Sequence, residues 1–213
     1  MAIKITEADY YARHTPGVLD AVRNRCVGIA GVGGLGSNAA MLLARLGVGT
    51  LIIADYDIIE ASNLNRQNYR ADQVGQKKVF AAAETLREIN PFINVIPFEI
   101  RLTRETFYDT FKTCDVALEC FDTRDAKRMA FAVARTTMQS VPFVMVSGIA
   151  GLGSAPFLER RIAPNVILIG DETPIDSADG GLISPRVMAA AAAQASVTLS
   201  LLMEKKQKTN PTS

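Results

Sequence analysis

The chain is poor in several residue classes, and each shortage removes a class of function. Its 213 residues hold one histidine, His14, so a histidine-rich metal site is excluded. The three cysteines, Cys26, Cys114 and Cys120, are too few for a disulfide framework. None lies in a Cys-x-x-Cys pair, so a structural zinc site has no support. No charge sign dominates: 23 basic residues face 22 acidic ones, for a net charge of +1. That balance argues against a general nucleic-acid binder. No uncharged apolar run reaches the roughly 18–20 residues a transmembrane helix needs, and the N-terminus lacks the apolar core of a signal peptide. A cytoplasmic location and no membrane partner are therefore expected. What remains is ordinary globular composition, 48% hydrophobic and 21% charged, which excludes global disorder.

The hydrophobic pattern alternates between strand and helix. Apolar runs at 26–30, 50–54, 94–100, 116–120 and 143–147 read as strands. Helical spacing covers 35–46, 76–89, 104–112 and about 124–139. Continuous apolar strands are those of a parallel sheet covered on both faces. The fold class is therefore α/β, a Rossmann-like doubly wound, mostly parallel sheet. After Ser147 the rhythm changes. Segments 157–162 and 166–170 read as two added antiparallel strands, 171–184 as a loop, and the Ala-rich stretch 185–203 as a buried C-terminal helix. One domain over 1–203 is expected, with 204–213 a frayed tail.

Chemistry begins at Gly31-Val32-Gly33-Gly34-Leu35-Gly36, between the first strand and the first long helix. Gly31, Gly33, Gly34 and Gly36 let backbone approach a phosphate, and the helix N-terminus offers unpaired N–H groups to an anion. Asp55 ends the second strand, placed to accept hydrogen bonds from ribose hydroxyls. These features alone fit a nicotinamide oxidoreductase as well as an ATP-using enzyme. The next segment separates the two. Asn63, Asn65, Arg66 and Gln67 form a polar cluster, and Gly75-Gln76-Lys77-Lys78 opens the following helix. Arg66 and Lys78 lie beyond strand C-terminal ends, where such sheets bind ligand, and two cations there suit a triphosphate. Asp122, in Glu119-Cys120-Phe121-Asp122, is a strand-end carboxylate able to hold Mg²⁺. Asp57 could contact ribose or metal, or cap a turn. Cys120 continues an apolar strand and reads as core.

With these motifs in order, the chain resembles the ThiF/MoeB family, relatives of the ubiquitin-activating enzymes, over about residues 11–203. Gly31–Gly36, Asp55/Asp57, Ser62–Gln67, Gly75–Lys78 and Glu119–Asp122 carry the resemblance, which is strongest to the short ThiF-type proteins that act with the sulfur carrier ThiS in thiamine biosynthesis. The resemblance implies ATP-dependent adenylation of the C-terminal carboxylate of a ubiquitin-like carrier ending in Gly-Gly. It implies ATP and Mg²⁺ as cofactors. Asp55 would hold the ribose, Asn63, Arg66 and Gln67 the phosphates, Lys78 the α-phosphate and Asp122 the metal. It further implies a homodimer in which Arg13, within Tyr10-Tyr11-Ala12-Arg13-His14, reaches the partner protomer's ATP. Unlike longer members, the chain has no zinc-binding Cys-x-x-Cys pairs, and 176–180 holds no cysteine for a covalent sulfur linkage. The alternatives are a relative that activates a carboxyl group on a tRNA nucleoside, against which the neutral charge argues, and a non-catalytic carrier-binding module.

Overall fold

The computed structural model describes residues 5–152, 156–171 and 180–209, with side chains through 205. Seven strands form one sheet: β1 (Cys26–Ala30), β2 (Thr50–Asp55), β3 (Asn94–Glu99), β4 (Val116–Glu119), β5 (Phe143–Val146), β6 (Leu158–Ala163) and β7 (Val166–Gly170). Their order is β3-β2-β1-β4-β5-β7-β6. Every adjacent pair is parallel except β6 with β7. Among the described residues seven α-helices have bounds: α1 (Glu7–Tyr10), α2 (Val18–Val22), α3 (Gly34–Leu46), α4 (Lys78–Ile89), α5 (Arg104–Phe111), α6 (Arg124–Thr136) and α7 (Ser184–Thr209), with short 3-10 helices at Ala61–Asn63 and Ala71–Gln73.

The apolar runs are continuous because both faces of each central strand are covered. On β1, Val27 and Ile29 join a core shared with α3, α4 and α7, while Ala30 and Cys26 join a second core. The second core is built on Phe107 and Phe111 of α5 and Ala130 and Val133 of α6. Leu118 against Ala117, and Val144 against Phe143, repeat the alternation. Chain order reverses between β1 and β4. The strand C-termini diverge there and open a crevice, the usual ligand position in such sheets.

Two features differ from the sequence expectation. Of the two strands after Ser147, β6 alone is antiparallel. β7 inserts between β5 and β6 and pairs parallel with β5, Phe143 opposite Val166. The short β6–β7 turn hides this, because hairpin partners need not be sheet neighbours of the preceding strand. Helix α7 runs on to Thr209, past the Met203 boundary. Glu204 to Lys208 are good helix formers, and Lys205 donates to the Asp115 carbonyl at 2.7 Å. Residues 210–213, the end of the expected tail, lie outside the described residues. So do 172–179, most of the expected 171–184 loop and of the cysteine-free stretch 176–180. Helix α1 carries a Thr6–Asp9 capping box, a legible start signal.

Candidate nucleotide site

The crevice is a cavity of about 1190 Å³ lined by the strand ends of β1, β2 and β4, the first turns of α3, α4 and α6, residues 147–150 and the start of α7. A smaller depression of about 580 Å³ on α4, around Phe80 and Arg87, touches none of the expected site residues.

Gly31 has φ of 89°, a left-handed conformation that side chains resist. A Cβ at Gly36 would overlap the Gly31 carbonyl oxygen, so α3 packs directly on the loop. Gly33 caps α3 without any side-chain hydrogen bond, leaving the first helical amides available to an anion. Gly31, Gly33 and Gly34 line the cavity; Gly36 serves packing. The loop is braced from outside. The Asp55 carboxylate accepts from Val32 N–H at 2.8 Å and from Asp57 N–H at 2.9 Å. The buried Tyr69 hydroxyl donates to Val32 O at 2.7 Å, and burial pushes its ionisation far up. Asp55 remains on the cavity wall, with spare acceptor capacity on each oxygen.

Lys78 opens α4 and is buried on the cavity wall, 6% exposed. Its Nζ lies 3.0 Å from Asp57 Oδ2, and its own N–H donates to Asp57 O at 3.0 Å. Asp57 is thus both a turn acceptor and the ion partner of Lys78. Lys77 points elsewhere, to Glu99 at 2.8 Å.

The Asn63–Gln67 cluster is divided by the fold. Asn63 Oδ1 accepts from Glu60 N–H at 3.1 Å, and its carbonyl accepts from Arg66 and Gln67 N–H. It shapes the turn and does not reach the cavity wall, unlike the phosphate contact expected of it. Arg66 and Gln67 do reach the wall. Arg66 Nη1 is held by Ser62 O at 3.0 Å and Asn65 Oδ1 at 2.9 Å. Gln67 Oε1 is buried without a hydrogen-bond partner. Asn38 Nδ2 donates both to Gly34 O at 2.7 Å and to Arg66 O at 3.0 Å, tying the glycine turn to the arginine.

The two acids at the end of β4 also part company. Glu119 is fully buried. It accepts from Phe121 N–H at 2.7 Å and from Lys127 Nζ at 3.0 and 3.1 Å. Burial raises its pKa, and Lys127 pulls it back. Asp122 is exposed on the cavity wall and takes no hydrogen bond or ion pair among the described residues. No group of three or more metal-ligating side chains occurs among those residues. Mg²⁺ does not require one, since it binds through one or two carboxylates plus phosphate oxygens. Asp122 fits that donor set.

Two contributors escaped the sequence. Lys127, in the first turns of α6, also donates to Val146 O at 2.9 Å, joining β4, β5 and α6 beneath the cavity. Its only signal was a cation in the charged first turns of a helix, between Arg124 and Arg128, which surface lysines share. Buried Arg186 donates to Ile149 O at 3.2 Å, pairs with the Asp171 carboxylate and lies over the Phe157 ring. It sets residues 148–150 and the start of α7 as one wall. Cys120 is core as expected, its thiol donating to Gln194 Oε1 at 3.4 Å. Arg13 is exposed in the turn after α1 and does not line this chain's cavity. Tyr10 and Tyr11 beside it bond Ile89 O and Asn90, at the C-terminal end of α4, so Arg13 lies at the opposite end of the sheet.

Comparison with known proteins identifies the family. The model of the ThiF family matches residues 11–212. The ubiquitin-like modifier-activating enzyme 5 of Oryza sativa subsp. japonica is 33% identical over 60% of this chain and 35% of its own length. The adenylyltransferase and sulfurtransferase uba4 of Aspergillus clavatus is 34% identical over 78% of this chain and 36% of its own. The chain therefore spans little more than a third of these relatives. Among solved structures, E. coli tRNA N6-threonylcarbamoyladenosine dehydratase, TcdA, in complex with ATP, superposes with a TM-score of 0.84 over 97% of this chain and 99% of its own, at 20% identity. With the family model covering nearly the whole chain, the protein belongs to the ThiF family.

Proposed function

We propose that the protein is an ATP-dependent adenylyltransferase that activates the C-terminal glycine carboxylate of a ubiquitin-fold carrier. The observation that carries this reading is the convergence of the glycine turn, Arg66, Lys78 and Asp122 on one cavity. A carboxylate oxygen of the carrier attacks the α-phosphorus of ATP. The bond from that phosphorus to the bridging oxygen breaks, pyrophosphate leaves, and an acyl-adenylate remains. The nucleophile comes with the substrate, so the protein supplies position and charge. Asp55 takes the ribose, and the glycine turn, Arg66 and Gln67 take the phosphates. Lys78 shifts from Asp57 toward the charge that builds at the α-phosphate. Mg²⁺, held by Asp122 and phosphate oxygens, would neutralise charge on the leaving pyrophosphate.

ThiS-like identity for the carrier, a cytoplasmic place in thiamine biosynthesis, and a homodimer in which Arg13 crosses to the second protomer belong to the same reading. Arg13 lies away from its own cavity, so in this reading its contact with ATP is made only in trans. A second reading, a carboxyl group on a tRNA nucleoside, is favoured by the near-complete length match to TcdA; the net charge of +1 weighs against it.

ATP–pyrophosphate exchange with Mg²⁺ separates these readings. Exchange that requires a ThiS-like protein ending in Gly-Gly supports the carrier. Exchange driven by modified tRNA transfers the reading to the nucleoside. Binding of ATP and carrier with no exchange leaves a binding module.

A further inference from the structure

Away from the cavity, at the N-terminal ends of the strands, two thiols touch. Cys26 opens β1 and is part-exposed; Cys114 precedes β4 and is 5% exposed. Their sulfurs are 3.7 Å apart. We propose that Cys26 and Cys114 are a modification site, a dithiol that a peroxide closes to an intrachain disulfide.

The backbone already holds the two cysteines in place. Asp115 N–H donates to Cys26 O at 2.7 Å, and Cys26 N–H donates to Asp115 Oδ2 at 3.0 Å. Arg25 and Lys205 converge on the same carboxylate. One residue on, Val27 and Val116 are in register on parallel strands. Room for the sulfur is built in: a Cβ at Gly28 would overlap the Phe111 ring and lie 3.0 Å from Cys114 Sγ. A disulfide needs a sulfur separation of about 2.05 Å, so closure asks for an approach of about 1.6 Å, within reach of side-chain rotation. Cys120 offers the internal contrast. It is buried, donates to Gln194, and packs in the core on the opposite face of the sheet.

The solvent-accessible thiol starts the reaction, and the Cys114 S–H beside it favours its thiolate. The Cys26 thiolate attacks one peroxide oxygen. An S–O bond forms, the O–O bond breaks, and hydroxide leaves to be protonated to water. Cys114 sulfur then attacks Cys26 sulfur. The S–S bond forms, the S–O bond breaks, and the departing hydroxide leaves as water with the Cys114 proton. Two thiols are oxidised, and one peroxide is reduced to two waters. The bond would join positions 88 residues apart in sequence, a long loop whose closure restricts the unfolded chain.

The test treats the full chain with hydrogen peroxide, then unfolds it, alkylates free thiols and maps peptides without reduction. The expected result is a Cys26–Cys114 linked peptide, alkylated Cys120, reversal by dithiothreitol, and a Tm higher by roughly 5–10 °C in the oxidised form. In Cys114→Ser, Cys26 should stop at the sulfenic acid and be trapped by dimedone. The proposal is overturned if all three thiols still alkylate. It is equally overturned if the link involves Cys120 or a second chain, or if Cys26 over-oxidises while Cys114 stays free.

Discussion

The two rims of the sheet are built from similar residues and used in opposite ways. At the N-terminal rim, polar groups are bound to each other. Buried Asn90 donates to Tyr11 Oη at 2.6 Å and Ala44 O at 2.7 Å and accepts from Phe92 N–H. Asp115 takes Arg25, Lys205 and the Cys26 amide. At the C-terminal rim, groups of the same kinds face a cavity with capacity to spare. The α3 amides have no side-chain cap, Gln67 Oε1 has no partner, and Asp122 is unpaired among the described residues. Leaving a buried acceptor unmatched costs about 1–3 kcal/mol, and a ligand group that donates, such as a hydroxyl and unlike a phosphate oxygen, can recover it. Spare bonding capacity is thus concentrated at the working rim, although the buried His14 Nδ1 beside Tyr11 shows that the other rim is not wholly without it.

If the division holds, substitutions should split between activity and stability according to rim. The largest effect is expected for Lys78→Ala, which should lower pyrophosphate exchange by about 10²–10³ with little change in melting. Equal losses in both would erase the distinction. Lys127→Met is the case that crosses the boundary, because its ammonium lines the cavity yet is spent on Glu119. It should cost about 3 kcal/mol by stranding a buried carboxylate. With its counter-ion gone, Glu119 stays further above its unfolded pKa, so protonation is easier in the folded state. The variant should therefore approach wild type at low pH and lose stability as pH rises through the folded-state value. Urea titrations across pH would read this, and a flat difference between the two proteins would refute it. Asn90→Ala should cost about 2 kcal/mol of stability and leave ATP affinity unchanged, as calorimetry can check. Lys205→Ala is expected to lose less than about 1 kcal/mol, visible only as a small shift in the urea midpoint.

The same contrast explains how much could be read from the sequence. The central strands and the helices between them were legible because burial on both faces writes unbroken apolar runs. Gly31, Gly33, Gly34, Asp55, Arg66, Gln67, Lys78 and Asp122 could be picked out as candidates because they stand at strand ends and helix starts, and the fold brings them to one cavity. What escaped was long-range bonding. Nothing local distinguishes Asn63, a turn builder, from Gln67 on the cavity wall four residues later. Lys127 and Arg186 look like surface cations until their partners, Glu119 and Asp171, are folded beside them. The place of β7 inside the parallel set, and the reach of α7 to Thr209, depend likewise on contacts distant in sequence.

Helix α7 links the rims. Its 26 residues span about 39 Å. Arg186 and Val187 stand at the cavity, Gln194 donates at mid-length to Glu119 O and Val144 O at 3.1 and 2.8 Å, and Lys205 meets Asp115 beyond the far end of the strands. Slippage of this rod would break contacts in three layers at once. Cooperativity is the consequence: the rims share one unfolding free energy, and slow amide exchange at the centre of α7 measures the opening of the whole molecule rather than of either end.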